Sequence, residues 1–318
     1  MENTGLLAPH YQDEEVARAH LEKVRWPNGP VCPHCGSINE ASKVNPKPGS
    51  RKPVRKGVWW CRGCKKQFTV TVGSIFEDSH IPLHKWLLAF HLVLSSKKGI
   101  SAHQLMRNLE IGSYRSAWFM AHRIRWALRQ EPVRAVLGGT VEMDETYVGG
   151  KMRVGPHATK PGERPKDRLF LSNKAAVVTV LQRGGPVRSF HVERVTAKNL
   201  KPIVKEMISE DAHLMTDTSG VGRSVAGNRK HSQVNHTANE YVRLENGEKI
   251  TTNTVEGYFS ILKRGNYGVY HHWSKKYMGQ YLREFDWRYN ARKLSDVERT
   301  VIALQMTGGK RLLLKSEN

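Results

Sequence analysis

Acidic residues are scarce in this sequence: 29 Asp and Glu stand against 51 Lys and Arg, which gives a formal net charge of +22. Long apolar runs are also missing, because the longest, Trp86 to Leu94, is broken by His91 and is well short of the ~20 residues that cross a bilayer. The N-terminal residues lack the basic start and apolar core of a secretion signal. We therefore expect a cytoplasmic protein without membrane spans, whose cationic surface attracts nucleic acid.

The composition nevertheless allows a substantial core. Hydrophobic residues make up 39% of the 318 residues, with 8 Trp, 10 Tyr and 8 Phe. A wholly disordered chain, a collagen-like chain and a low-complexity chain are therefore excluded. The length predicts roughly two domains of ordinary size.

Cysteine is rare, and all four cysteines form two C-x-x-C pairs, Cys32 with Cys35 and Cys61 with Cys64. Each pair closes a tight turn that directs two thiolates to one point, and two pairs supply the four ligands of a structural Zn²⁺ ion. Disulfides, a thioredoxin-like redox site and four unrelated thiols are the alternatives, of which a reducing cytoplasm disfavours the first. Residues 41–70 around the pairs carry nine Lys or Arg and no acid, so we expect a cationic zinc ribbon.

A helical block follows the ribbon. Apolar spacing predicts helices over 13–24 and 82–95, and then two helices joined at Ile111-Gly112-Ser113. Such a pair is typical of a helix-turn-helix, whose second helix enters the major groove, although a plain helical hairpin with a basic face is an equal alternative. Our candidate DNA contacts in the second helix are Arg115, Arg123 and Arg125.

From residue 138 onward, alternating apolar segments followed by a helical one indicate an α/β domain. The Gly-, Pro- and Lys-rich segment 152–167 is interpreted as an extended basic loop or hairpin tip. Residues 218–240 have little pattern and are interpreted as a loop or insertion.

Three carboxylates are unusual in so cationic a chain. Asp144 lies within a predicted strand, Asp217 ends another, and Glu256 lies on an amphipathic helix whose polar face also carries Asn253, Ser260 and Lys263. Each acid alone could pair with an Arg or cap a turn. Together they would repel one another without a cation, and oxygen ligands favour Mg²⁺ or Mn²⁺ over zinc.

Several ordered motifs resemble those of the bacterial insertion-sequence DDE transposases that carry an N-terminal zinc ribbon. They are C-R-G-C-K-K-Q-F-T-V-T-V-G-S-I-F, S-K-K-G-I-S-A-H-Q-L, M-D-E-T-Y-V-G-G-K, M-T-D and N-T-V-E-G-Y-F-S-I-L-K-R-G. The resemblance implies an α/β fold with an RNase H-like catalytic domain, a mixed sheet flanked by helices. It also implies that Asp144, Asp217 and Glu256 are the catalytic triad, with Lys263 as the basic residue two turns later. Asn253, one turn before Glu256, stays open as the third ligand.

The resemblance further implies four segments: helix and ribbon (1–75), helix-turn-helix-like block (76–135), catalytic domain (136–295) and C-terminal tail (296–318). The expected function is Mg²⁺-dependent cleavage and strand transfer of double-stranded DNA, at the element's terminal repeats and at target DNA. We expect a homo-oligomer on DNA, association with the nucleoid, and phosphate contacts from Lys263 and Arg264. A non-catalytic DNA-binding regulator, or a nuclease that cuts without joining, is the alternative.

Overall fold

The computed structural model describes residues 5–45, 55–129, 136–149, 174–218 and 220–312. The chain forms two compact units, one from residues 1–96, 100–129 and 294–318 and the other from residues 97–99 and 130–293. The predicted ribbon, helical block and tail therefore share one unit, whereas the sequence suggested three separate segments. The basic segment 152–167 lies outside the described residues.

The helices begin and end close to the sequence-based bounds where the apolar period is strong. The described α-helices are α1 (Glu14–Arg25), α2 (Leu83–Ser95), α3 (Ala102–Asn108), α4 (Tyr114–Ala127), α5 (Ala197–Met207), α6 (Gly220–Ala226), α7 (Asn253–Gly265), α8 (Met278–Asn290) and α9 (Asp296–Gln305). Short 3₁₀ turns cover Pro9–Tyr11, His236–Ala238 and Lys275–Tyr277, and a π turn covers Asn266–Tyr270.

The ribbon is a small antiparallel sheet of β1 (Ala41–Lys43), β2 (Trp59–Cys61) and β3 (Gln67–Phe68). Its core contains Cys32, Cys61 and Phe68, against which Trp26 and Trp59 pack. The rings of Trp59 and Phe68 each meet Trp26 edge-on at 5.8 Å. With so little surface to bury, a metal cross-link is the usual means of stabilising a sheet of this size.

In the helical block, α3 and α4 are joined by a short turn that contains Gly112, as the sequence predicts. Ser101 and Ser113 cap the two helices by accepting hydrogen bonds from the backbone N–H of Gln104 and Ser116. Helix α9, which the sequence assigned to a tail, packs against α1 and α2 within the same unit. Its Ala303 and Leu304 are fully buried, so this part of the tail belongs to the core of the unit.

The second unit is built on a mixed sheet of five described strands, in the order β6-β5-β4-β7-β8. The strands are β4 (Thr140–Val148), β5 (Ala175–Gln182), β6 (Val187–Val192), β7 (His213–Asp217) and β8 (His231–Val234). Strand β4 is central: it pairs antiparallel with β5 and parallel with β7, and β7 pairs parallel with β8. A separate hairpin joins β9 (Arg243–Glu245) to β10 (Glu248–Ile250).

Helices cover both faces of this sheet. One core contains Val141 and Met143 of β4 and residues of α5 and α6, while the other contains Val148 and residues of α7 and α8. Because successive side chains of a strand alternate, Glu142 and Asp144 lie on the face opposite Val141 and Met143. The predicted α/β fold, a mixed sheet flanked by helices and preceded by a ribbon, is confirmed.

Helix α7 forms because its apolar residues recur at helical spacing. Val255, Tyr258, Phe259 and Leu262 are buried on one face, while Asn253 and Lys263 are exposed on the other, as predicted. Gly265 ends the helix where space is tight: a Cβ there would lie 2.2 Å from Cζ of Phe285 on α8. A side chain at this position would push α7 away from α8.

Candidate active site and metal-binding residues

Strands β4 and β7 bring Asp144 and Asp217 side by side. Their parallel register pairs Thr140 with His213 and Glu142 with Met215. Continued by two residues, this register sets Asp144 opposite Asp217, where β7 ends. The central strand and its parallel neighbour thus contribute one carboxylate each to the same place on the sheet, beside the end of β7.

The electrostatics of Asp144 show that Glu256 is near as well. Burial, the largest cause, and the negative charges of Glu145, Asp217 and Glu256 together raise the pKa of Asp144 to about 7, although a hydrogen bond from the Glu145 backbone N–H acts in the opposite direction. Burial and the charge of Asp217 also raise the pKa of Glu145. Two adjacent acids with raised pKa values, Asp144 and Glu145, are a signature of a functional site.

Glu256 projects from the first turns of α7 and is held by two neighbours. The hydroxyl of Thr252 donates to its Oε1 atom at 3.1 Å, and Nε2 of His236 lies 3.2 Å from the same atom. His236 belongs to residues 218–240, whose sequence has little pattern and predicts only a loop or insertion. Its place in the chain gave no signal, because only the folded chain brings residue 236 to α7.

The other polar residues of α7 follow the predicted face. Lys263 and Arg264 are exposed two turns beyond Glu256, and Arg264 donates a hydrogen bond to Ser260. Asn253 is exposed at the start of the helix. The face therefore presents a carboxylate at one end and two cations at the other, an arrangement suited to a divalent metal and a phosphate backbone.

A donor set of carboxylate oxygens fits a hard divalent cation. Asp144, Asp217 and Glu256 supply oxygen only, and their mutual repulsion, seen in the raised pKa of Asp144, is what a cation would relieve. Unlike the four thiols below, these carboxylates are not gathered within 4.8 Å of one another. Their oxygen donors are of the type that Mg²⁺ and Mn²⁺ prefer.

The four cysteines converge closely. Their sulfur atoms lie within 4.8 Å of one another, and the Cys32–Cys64 and Cys35–Cys61 sulfur pairs are each 3.7 Å apart. Zn–S bonds of about 2.3 Å in a tetrahedron place sulfurs about 3.8 Å apart. The hydroxyl of Ser37 lies 3.3 Å from the Cys61 sulfur and, as the largest cause, lowers the pKa of that thiol to about 6. The geometry and chemistry of this group fit zinc.

The arginines proposed to contact DNA differ in exposure. Arg115 is exposed in the first turn of α4, beside Tyr114. Arg123 and Arg125 are only 6% and 2% exposed, and Arg123 donates a hydrogen bond to the backbone carbonyl of Glu77. These two residues lie on different faces of α4, and both are buried because residues 120–125 are enclosed within the unit on all sides, which argues against contacts to DNA. Of the three, Arg115 alone keeps the surface position that the prediction requires.

Comparison with known families agrees with this arrangement. Residues 136–290 match the family described as the ISXO2-like transposase domain, and residues 12–67 match the transposase zinc-ribbon domain. The chain carries the two domains of an insertion-sequence transposase. Asp144, Asp217, Glu256 and Lys263 all lie within the transposase domain, and the four cysteines lie within the zinc ribbon.

A relative supports the same assignment over most of the chain. It is described as an uncharacterized protein in transposable element ISH50 of Halobacterium salinarum, and is 27% identical over 290 residues, which cover 87% of this chain and 91% of the relative. No solved structure matches the chain. Among the described residues, no helix is long and apolar enough to cross a membrane.

Proposed function

We propose that this protein binds the terminal repeats of its insertion sequence and catalyses DNA strand cleavage and strand transfer. The observation that carries the proposal is the placement of Asp144 and Asp217 on neighbouring strands, with Glu256 near enough to raise the pKa of Asp144, within a transposase domain. These three residues are the proposed ligands of Mg²⁺ or Mn²⁺. The chain also offers cationic side chains for the DNA that such ions would act on.

Asp144, Asp217 and Glu256 would hold the Mg²⁺ or Mn²⁺, which when bound would supply Lewis-acid stabilisation of the charge on the attacking and leaving oxygens. Asp144 and Asp217 are fixed on neighbouring strands and serve as the rigid side of this site. Glu256 completes it from α7, where Thr252 and His236 orient its carboxylate. Attack of water on the phosphodiester at the element end would break its bond to the 3′-oxygen, which leaves a 3′-hydroxyl on one side and a 5′-phosphate on the other. The 3′-hydroxyl of the element would then attack a phosphodiester of target DNA, forming the new bond and releasing the 3′-hydroxyl of the target strand, without a covalent protein intermediate.

Lys263 and Arg264 are assigned to phosphate binding. Both are exposed on α7, about two turns beyond Glu256, which is a reach of roughly 10 Å along the helix axis. A phosphate held there would keep the reacting strand aligned with the carboxylates. Asn253 is the alternative third ligand, because it shares the exposed face one turn earlier.

DNA recognition is assigned to the ribbon and to the start of α4. Residues 41–70 carry nine cations and no acid, and Arg115 is exposed at the end of α4 that enters a groove in helix-turn-helix proteins. Cys32, Cys35, Cys61 and Cys64 would hold one Zn²⁺ ion that stabilises the ribbon. Two element ends must be brought together for transposition, so we also propose a homo-oligomer on DNA.

The test is a reaction of the full-length protein with labelled duplexes of the element's terminal repeats and a target plasmid. One set of reactions contains Mg²⁺ and a parallel set contains Ca²⁺. The proposal predicts nicking at the repeat ends and joined products with Mg²⁺. Cleavage without joining would instead identify a nuclease. Specific binding without either reaction, in protein with full metal content, would favour the non-catalytic regulator.

A further inference from the structure

Helix α7, which carries Glu256, begins without a cap of its own. Its N-cap residue is Thr252, and among the described residues the Thr252 side chain accepts no hydrogen bond from the first turn; it donates to Glu256 instead. The first N–H groups of a helix need acceptors from outside the helix. The N–H of Asn253 donates to the Thr251 hydroxyl at 3.1 Å, whereas the next two N–H groups donate to a side chain on a strand more than a hundred residues earlier in the chain.

That acceptor is Glu142. Its Oε2 atom accepts hydrogen bonds from the backbone N–H of Thr254 at 2.9 Å and of Val255 at 3.0 Å, and its Oε1 atom accepts from the Thr254 hydroxyl at 2.9 Å. Val255 directly precedes Glu256. The carboxylate also lies at the positive end of the helix dipole, where negative charge is favoured.

Glu142 stands on β4 two residues before Asp144, so both side chains point to the same face of the sheet. It is fully buried. One side chain therefore connects the strand that carries Asp144 to the helix turn that carries Glu256, and water does not compete for its hydrogen bonds.

Arg183 fixes this carboxylate in turn. Its Nε atom donates to Oε1 of Glu142 at 2.7 Å, and its two terminal nitrogens donate to the backbone carbonyls of Lys249 and Thr251 at 2.7 and 2.9 Å. Those carbonyls belong to the segment that leads into α7. The Arg183 guanidinium thus compensates the buried charge of Glu142, and it binds both the β4 side chain and the segment that precedes α7.

We infer that Glu142, held by Arg183, is a positioning residue that sets the place of Glu256 relative to Asp144. The inference rests on the proposed function, in which both acids hold the metal. A buried ion pair could also serve stability alone. Glu284 provides the comparison, since it is equally buried and pairs with Arg288 at 2.9 Å and Tyr270 at 2.6 Å, away from the first turn of α7.

Glu142→Gln tests the inference, with Glu284→Gln as the matched control. A carboxamide has one acceptor oxygen, and its NH₂ group would face either the helix N–H groups or Arg183, so the first turn must shift. Full-length variants are titrated with Mn²⁺ by electron paramagnetic resonance, and thermal unfolding and cleavage of the repeat duplex are measured alongside. Loss of a residue that orients ligands weakens metal binding or activity about 10- to 100-fold.

We expect Mn²⁺ affinity to fall at least ~10-fold in Glu142→Gln and to change less than ~2-fold in Glu284→Gln, at comparable losses of thermal stability. Equal Mn²⁺ affinities in Glu142→Gln and the unchanged protein would overturn the inference, as would equal losses in the two variants. If Glu142→Gln fails to fold, Thr254→Val is used to test the inference, because it removes one hydrogen bond to Glu142. Its Mn²⁺ affinity must then fall, and an unchanged value overturns the inference.

Asp144→Asn separates this inference from the proposed function. If Asp144→Asn keeps full Mn²⁺ binding and cleavage, the proposed metal site itself is refuted. If it loses both while Glu142→Gln retains both, the metal site stands and only the role of Glu142 is refuted.

Discussion

The Nε2 atom of His236 lies 3.2 Å from Oε1 of Glu256 and 3.2 Å from the hydroxyl of Thr252, which donates to the same Glu256 oxygen. These contacts join the segment after β8 to the first turn of α7. The orientation of the Glu256 carboxylate therefore depends on a residue twenty positions earlier in the chain.

His236→Ala should lower the rate of repeat cleavage about tenfold, because Glu256 loses one of two neighbours that orient it. His236→Gln retains a donor and should recover part of the loss. His191, which is exposed on β6, serves as the control in His191→Ala. Equal rates for His236→Ala and His191→Ala would show that the contact has no role in cleavage.

Replacing each proposed metal ligand by its amide should abolish the chemistry and spare DNA binding. Asp144→Asn, Asp217→Asn and Glu256→Gln should each lower cleavage and joining by at least ~10³-fold, because the amide binds divalent metal poorly while keeping its size. Cleavage assays and binding of the repeat duplex are measured together, with exposed Glu206 changed to Gln as the control.

Asn253→Ala should be the milder change if Glu256 is the third ligand. An inactive Asn253→Ala beside a fully active Glu256→Gln would move the third ligand one turn back along α7. Full activity of Asp144→Asn would contradict the triad altogether.

One zinc ion per chain should be found in freshly purified, reduced protein. Cys61→Ser should lower this ratio and the unfolding temperature, since structural zinc contributes directly to folding. Ser42→Ala is the control, because Ser42 is exposed on β1 and is not one of the four ligands. Elemental analysis that finds no zinc in the unchanged protein would refute the site.

Arg115→Ala should weaken binding of the repeat duplex and reduce the slope of log affinity against log salt by about one, as loss of one phosphate contact does. Lys201→Ala, an exposed cation on α5, should leave the slope unchanged. Binding is measured by fluorescence anisotropy at several salt concentrations. Identical slopes for the two variants would remove Arg115 from the DNA interface.

Asp286 should make stability depend on pH. Its carboxylate accepts hydrogen bonds from the Ser189 hydroxyl and the Tyr258 hydroxyl, but burial, the largest cause, raises its pKa from 3.8 to about 6. The folded protein therefore holds this proton to higher pH than the unfolded chain does. Through this group, the free energy of unfolding should decrease as pH rises from about 4 to about 6, and then level off.

Asp286→Asn removes that titration. The difference in unfolding free energy between the unchanged protein and Asp286→Asn, measured in urea at several pH values, should change across this window and be constant above about pH 7. A difference that is constant throughout would mean that Asp286 titrates normally in the folded protein.

Local patterns were sufficient to predict much of this molecule. The paired C-x-x-C turns, the amphipathic period of α7 and the alternation around Asp144 each depend on neighbours in the chain, so the zinc-ribbon class, the α/β fold and the exposed face of α7 could be read from the sequence. The assignment to transposase domains rests on motifs of the same short range.

Features that depend on long-range packing could be determined only from the tertiary structure. The cationic sequence of α4 does not reveal that Arg123 and Arg125 are buried while Arg115 is exposed, because burial depends on which face meets the rest of the unit. The sequence alone assigns α9 to a C-terminal tail, whereas in the structure this helix packs on α1 and α2. Glu142 reaches Val255, and His236 reaches Glu256, only after β4, the segment following β8 and α7 come together. The large separation along the chain conceals such contacts from any local pattern.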